Sequence, residues 1–306
     1  MNKPTLSICI PTNSRYDILE KTVQSIYNEP GLDYSEFEII VSDNSNSDDI
    51  FQYFQKFSNK NNFKIVKSNS LGFLNSVNAL KHGTGYYLKL HNNYSLFNKN
   101  SLFEIVTFLK SLKNNNYTIH FNNKSKKSNK VVCFESFDSF LIDISFLSSW
   151  SNTFCISREQ FWKVDLNKCD KMFPHTSLLL SQYNSKEYCV YKASLFTNLE
   201  VKTKGGYDLF KTFAVDFLNL YDLAVKEKHI SNHTFLRIKF DLYRKFLIKW
   251  YCDLIYFKNE YTFIISKVKE SICVHYDTLF YYLLLLISFF RAKLKFLKYL
   301  IFKTRD

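Results

Sequence analysis

Glycine and proline are scarce in this chain of 306 residues, at 6 and 4. That scarcity argues against an all-β fold of many tight turns, which rely on residues that reach positive φ or fix φ near −65°. No CxxC pair occurs, and no cysteine lies near a histidine at metal spacing. The seven cysteines are scattered at 9, 133, 155, 169, 189, 252 and 273. They read as free thiols in a reducing cytosol rather than as a disulfide or zinc framework. Acidic residues are few, 28 against 41 lysines and arginines, giving a net charge of +13. This excess favours anionic partners such as nucleotide phosphates or acidic lipid headgroups. A membrane span needs about 20 apolar residues. The strongest apolar run, YYLLLLISFF at 281–290, is shorter and is bounded by Asp277 and Arg291. The first residues, MNKPTLSICIPT, turn strand-like too early for a secretory signal peptide.

Hydrophobic residues at 46% and aromatics at 18% are enough for a sizeable core. Two early segments stand out, LSICIPTNSR at 6–15 and FEIIVSDNSNSDD at 37–49. Each is a β-branched apolar run that ends abruptly in small polar residues, the pattern of a buried parallel strand opening into a loop. Between them Leu19, Val23 and Ile26 form one apolar stripe of a helix that Pro30-Gly31 ends. The resulting βαβ unit brings Pro11, Thr12, Arg15, Asp43 and Asn44 to one sheet edge. In open α/β sheets, ligands bind outside the carboxyl ends of the strands.

Further along, Ser47 or Asp48 is placed to cap a helix to about Phe57. FKIVKSN at 63–69 predicts a third strand, 71–85 a helix, and YYLKLHNN at 86–93 a fourth strand. The alternation predicts a doubly wound, mostly parallel sheet. A helix at 101–113, strands at 117–122 and 130–136 around NNKSKKSNK, and helical spacing over 137–150 follow. From 205 to the end the pattern reads as wholly helical. The expected organisation is an α/β domain over 1–204, with halves 1–100 and 101–204, then a helical C-terminal region over 205–306.

The paired strand–loop segments resemble the N-terminal half of family 2 glycosyltransferases, enzymes of the GT-A fold that move a sugar from a nucleotide carrier to an acceptor. The resemblance implies a GT-A-like α/β fold and a nucleotide-sugar donor. It assigns Asp43 to a hydrogen bond with the nucleotide base and Pro11-Thr12 to the frame around base and ribose. Asn44 stands beside them, Arg15 is placed to help hold phosphates, and Asn69, Gly72 and Asn78 match an Asn/Gly stretch of the family. The segment FDSFLIDISFLSSWSNTFCISREQFWK resembles the abequosyltransferase-like subset that builds bacterial surface polysaccharides. It implies Ser157-Arg158 near the donor or acceptor pocket, and a strand-to-helix junction with Ser157 as N-cap explains the same residues equally well. An inverting transferase needs a general base for the acceptor hydroxyl. Asp170 is the first candidate and His175 the second, with Asp165 as a further alternative. KGGYDLF at 204–210 reads as a mobile loop over the site or as a hinge.

The chain departs from the family at the end of the fourth strand. There an acidic cluster should hold Mg²⁺ or Mn²⁺ against the donor phosphates, and here stand His91, Asn92 and Asn93. Three readings remain open: catalysis without a tightly held metal, weak metal binding through His91 and the amide oxygens, or a catalytically inactive relative acting as a binding or scaffold protein. The expected activity is sugar transfer to a saccharide or lipid-linked saccharide in lipopolysaccharide or capsule assembly, with inversion. Arg291, Lys293, Lys295, Lys298, Lys303 and Arg305 interleave with apolar residues after the run at 281–290. They predict an interfacial helix on an anionic membrane surface at the cytoplasmic face, against the alternative of a helix packed on the α/β domain. No nucleic-acid-binding motif is present, and the sequence leaves the oligomeric state unknown.

Overall fold

The computed structural model describes residues 3–112, 116–123, 131–185, 187–201, 205–257 and 261–303, with side chains up to 297. The chain divides into two compact units, Met1–Glu200 and Val201–Asp306. The expected boundary at 204 falls among residues outside the described set. So does most of the polar segment between the strands expected at 117–122 and 130–136.

The first unit opens with β1 (Leu6–Thr12), α1 (Tyr16–Tyr27), β2 (Phe37–Asp43), α2 (Asp49–Tyr53), β3 (Phe63–Lys67), α3 (Asn75–Lys81) and β4 (Tyr87–Leu90). It continues with β5 (Ser95–Phe97), α4 (Ser101–Ser111), β6 (Thr118–Asn122), β7 (Val131–Phe134), α5 (Phe137–Ile144), β8 (Phe154–Ser157), α6 (Arg158–Trp162), α7 (Pro174–Leu180), β9 (Tyr188–Lys192) and β10 (Phe196–Asn198). Eight strands form one sheet in the order β3-β2-β1-β4-β8-β6-β9-β7, and β5 pairs with β10 in a small antiparallel ribbon. Only β8 and β7 run against the rest, so the sheet is mostly parallel, as the strand–helix alternation predicts.

Burial fixes the register. Leu6, Ile8 and Ile10 of β1 and Phe37, Ile39 and Val41 of β2 enter one core with Leu19, Val23 and Ile26 of α1. A slip by one residue would turn these side chains to the other face. In the observed register Thr12 lies beside Asp43, and Asp43 beside Lys67, so three polar strand ends come level. Before β4 the backbone runs tight against β1. A Cβ on Gly85 would stand 2.8 Å from the Ser7 backbone nitrogen, which explains a glycine there.

Several helices are shorter than the periodicity predicts. The stretch expected at 71–85 is a 3₁₀ turn at Gly72–Leu74 followed by α3. The apolar spacing over 137–150 breaks at Ser145, whose φ of 50° passes α5 into a 3₁₀ turn. At α2 the expected capping is settled by Ser47: its hydroxyl accepts from the Asp49 N–H, whereas Asp48 makes no capping bond.

The second unit is not wholly helical. Gly205–Asp208 forms β11, which pairs in parallel with β12 (Thr262–Ile264). A Cβ on Gly205 would sit 2.4 Å from the Thr262 carbonyl carbon, so Gly205 serves close strand approach rather than a free hinge or lid. The helices are α8 (Leu218–Lys226), α9 (Asn232–Leu242), α10 (Ile248–Ile255), α11 (Val268–Cys273) and α12 (Thr278–Lys303). π-helical segments at Lys211–Phe217 and Tyr243–Leu247 precede α8 and α10. α12 buries Leu284, Ser288 and Ala292, while Leu279, Tyr282, Leu286, Phe290, Leu294 and Leu297 are exposed.

Candidate functional site

The level ends of β1, β2 and β3 are tied by side chains that the sequence scatters over sixty residues. Asn75, buried at the start of α3, donates to the carbonyl oxygens of Thr12 at 3.0 Å and Ser42 at 2.7 Å and accepts from Ser42 Oγ at 2.6 Å. One amide thus satisfies the polar groups where two parallel strands part, which would otherwise be buried without partners. The Asn44 N–H donates to the Thr12 carbonyl at 3.1 Å and completes the junction.

Asp43 organises the loop beyond this junction. Its side chain is 0% exposed and accepts from Lys67 Nζ at 2.9 Å, Ser45 Oγ at 2.7 Å, Tyr16 Oη at 3.0 Å and the Ser45 N–H at 3.1 Å. Desolvation raises its pKa, yet the bonds from Lys67, Ser45 and Tyr16 together outweigh this and hold it below the usual carboxylate value. Asp43 therefore sits beneath the cleft instead of lining it. The residues that do line it, an open cleft of about 360 Å³, are Asn13, Ser14, Asn44, Ser45, Asn46 and Ser47. Asn13 Nδ2 lies 3.2 Å from Asn44 Oδ1. Ser14 and Arg15 both adopt left-handed backbone, at φ 62° and 61°, as the chain turns from β1 into α1. Pro11 is half-buried, Thr12 is buried and Arg15 is exposed.

The end of β4 meets this edge from the other side of β1. Asn93 Nδ2 donates to Thr12 Oγ1 at 2.9 Å, and the Asn92 N–H donates to Asn152 Oδ1 at 2.8 Å. Asn92 Oδ1 is engaged by Ser151 Oγ at 3.1 Å. His91 is buried, stacked on Phe97 with ring centroids 4.5 Å apart, and its Nε2 donates to the Ser95 carbonyl at 2.7 Å. Burial, reinforced by the nearby Lys89 charge, drives its pKa well down, so the ring is neutral. A divalent cation bridging phosphates needs carboxylate or other free oxygen ligands. This strand end offers no carboxylate, and the Asn92 amide and Asn93 Nδ2 are engaged. Among the described residues no three His, Cys, Asp or Glu side chains group so as to hold a metal ion. These residues do not fit the cation that the resemblance implies.

The other sequence candidates lie apart from this edge or within turns. Ser157 pairs with Tyr87 at the start of β4, the sheet edge opposite Thr12 and Asp43. Its hydroxyl accepts from the Gln160 N–H at 3.2 Å, while Arg158 Nε donates to the Gly83 carbonyl at 3.1 Å. Of the two readings of Ser157-Arg158, the strand-to-helix junction is the one observed: Ser157 is the N-cap of α6, and the antiparallel direction of β8 sets both residues at the far sheet edge. Asp170 is half-buried, and its Oδ1 accepts from the Met172 and Phe173 N–H groups at 2.8 and 2.7 Å. His175 is buried in α7, where desolvation lowers its pKa to about 4. Asp165 accepts from the Asn167 N–H at the start of a 3₁₀ turn.

Sequence reasoning passed over Tyr16, Lys67, Asn75 and Asn152. A strand-terminal lysine in FKIVK and a buried asparagine opening α3 carry faint signals, since polar residues at core positions need named partners. Asn152 carries none, because its role depends on a 3₁₀ turn.

Comparison with known proteins bears on the fold and on the segment that carries this edge. Residues 7–153 match the family model described as Glycosyl transferase family 2. The match lies within the first unit and covers just under half of the chain, so it identifies a segment similar to a family 2 glycosyltransferase domain. The GalNAc(5)-diNAcBac-PP-undecaprenol beta-1,3-glucosyltransferase of Campylobacter jejuni is 48% identical over 46 residues, 15% of this chain and only 14% of that protein. TarS 1–349 of S. aureus superimposes with a TM-score of 0.55 at 16% identity, over 79% of this chain and 72% of its own. In complex with UDP-GlcNAc the same protein gives 0.53 at 17% identity, over 72% and 66%. A mannosyltransferase from Pyrobaculum calidifontis, solved with GDP-Man and Mn²⁺, gives 0.50 at 12% identity, over 74% and 65%. These structural likenesses establish the GT-A-like fold.

Proposed function

We propose that the protein transfers a sugar from a nucleotide-sugar donor to a saccharide or lipid-linked saccharide acceptor in bacterial surface glycan assembly, lipopolysaccharide or capsule, with inversion at the anomeric carbon. The observation that carries this reading is the polar cleft at the level ends of β1 and β2, within the segment similar to a family 2 domain. In it the base and ribose are received by Asn13, Ser14 and Asn44–Ser47. Asn44, whose amide donates to the Ser70 carbonyl at 2.9 Å and accepts from Asn13 at 3.2 Å, fixes the loop that meets the base, while Asp43 and Lys67 hold that loop from beneath. Pro11 and Thr12 frame the site, and exposed Arg15 attracts the phosphates.

Of the two candidate bases, Asp170 is favoured over His175, which is enclosed and whose low pKa leaves it a weak base near neutrality. On α12 the exposed apolar residues lie with Lys293, while Lys295 is paired with Asp253 at 2.8 Å, a combination suited to an anionic membrane surface that presents lipid-linked acceptors. No described helix is long and apolar enough to cross a membrane. Lys298 and Lys303 have side chains outside the described set, and Arg305 lies wholly outside it.

The test is a panel of nucleotide-sugars assayed for donor hydrolysis and for transfer to bacterial glycan acceptors. Turnover with one donor supports the reading. Nucleotide binding without turnover on any donor favours the scaffold alternative that the neutral His91-Asn92-Asn93 trio suggests.

A further inference from the structure

Lys89 stands where an apolar residue of β4 would be expected. Among the described residues it is the only fully enclosed lysine or arginine, at 0% exposure. Its Nζ donates to the Leu90 carbonyl at 2.9 Å and the Asn152 carbonyl at 2.8 Å. The ammonium also lies over Phe196, Phe121 and Phe97, at 4.5, 5.7 and 6.0 Å from the ring centroids. Its neighbours are thus carbonyl dipoles and π faces, with no carboxylate of the described residues in an ion pair with it. A buried ammonium without a counter-anion is costly. Such an arrangement is accounted for when the anion arrives as a ligand.

The position of this charge is specific. Leu90 immediately precedes His91-Asn92-Asn93, and Asn152 grips the Asn92 N–H through Oδ1. Lys89 is therefore hydrogen-bonded to both sides of the strand end that should carry acidic metal ligands. Asn152 Nδ2 is buried at the same place with no acceptor in the structure. Where carboxylates stand, two negative charges call for a cation before phosphates can approach. Here the trio is neutral, and the amine behind it, its pKa lowered by burial to about 7, is one that an arriving anion would hold protonated.

We propose that Lys89 supplies the positive charge that faces the diphosphate of the nucleotide-sugar at this strand end, in place of a divalent cation. The inference rests on the reading of the cleft as a nucleotide-sugar site. Lys89 lies behind the β4 backbone, so it acts through space on the diphosphate, an attraction that strengthens where the intervening medium is protein rather than water.

Titration calorimetry tests it with UDP, GDP, uridine and guanosine, each in EDTA and in Mn²⁺, on the wild-type chain and on Lys89→Met and Lys89→Arg. The wild type is expected to bind one nucleoside diphosphate equally well in EDTA and in Mn²⁺. Lys89→Met should weaken that binding by about 10-fold or more, with Lys89→Arg restoring most of it, while nucleoside affinity stays unchanged. A purely structural strut would lower both affinities together. Loss of wild-type diphosphate binding in EDTA overturns the proposal, and this arm holds even where Lys89→Met does not fold. Undiminished diphosphate binding by a folded Lys89→Met overturns it as well. If the wild type binds neither nucleosides nor diphosphates under any condition, the donor-site reading itself fails, a result distinct from both.

Discussion

Asp43 and Lys67 close an ion pair, Oδ2 to Nζ at 2.9 Å, between the last residues of β2 and β3. The carboxylate is enclosed while the lysine is 29% exposed, so the pair is anchored from the solvent side. Removing the cation leaves the buried charge with Ser45 and Tyr16 alone. Lys67→Met should cost about 2–3 kcal/mol at pH 7, read from urea unfolding. Because the folded pKa of Asp43 lies below its unfolded value, its contribution is present above about pH 4 and is lost as pH falls through the lowered value. In Lys67→Met the acid transition should move to higher pH.

The buried imidazoles give a second, higher window. His120 and His175 are each held near a pKa of about 4, and His91 is also depressed, all first of all by desolvation. Unfolding returns them to a value near 6.5. Between these values the unfolded chain binds more protons, so stability falls as pH drops from about 6.5 toward 4. Each histidine contributes a slope of about 1.4 kcal/mol per pH unit inside the window. Urea midpoints across pH 4–8 should decline well above the carboxylate range, and His120→Gln should flatten the decline.

Asn75 unites the donor-side strand ends, and no apolar residue reproduces its bonds to Thr12 and Ser42. Asn75→Leu should destabilise the chain by about 2–4 kcal/mol, since two buried carbonyl oxygens lose a donor. Thermal and urea unfolding measure the loss. Asn75→Asp keeps only the acceptor geometry and should not restore stability at neutral pH.

For the exposed stripe of α12 the check is sedimentation with vesicles of phosphatidylglycerol. The wild type should co-sediment at low salt and release as salt rises, because the basic contribution is screened. Leu286→Asp with Phe290→Asp should reduce binding by about 10-fold or more, as two apolar contacts are replaced by charges repelled from an anionic surface. Equal sedimentation of both proteins would remove this face from membrane attachment.

The strand–helix alternation of the first hundred residues was legible because each apolar run ends in a cluster of polar residues. Hydrophobic period and turn chemistry therefore agreed along β1 to β4. The strands β11 and β12 were not legible: they are short, one begins at Gly205, and each is defined by the other across fifty residues. Within the site, the sequence placed Thr12, Asp43 and Asn44 on one edge, which the parallel register reproduces. It did not show that Asp43 would be enclosed, since that depends on Lys67 and Tyr16 arriving from different elements. Ser157 and Arg158 were drawn toward the pocket by local pattern, and only strand direction reveals that β8 ends at the far edge.

The most direct measurement is calorimetric titration of nucleoside diphosphates into the wild-type chain and into Asn44→Ala. One nucleoside diphosphate should bind the wild type, and Asn44→Ala should weaken it by about 10-fold or more, the range set by loss of a paired polar contact in a partly desolvated cleft. Absence of binding to the folded wild-type chain, with or without Mn²⁺, would contradict the assignment of this cleft as a nucleotide-sugar site.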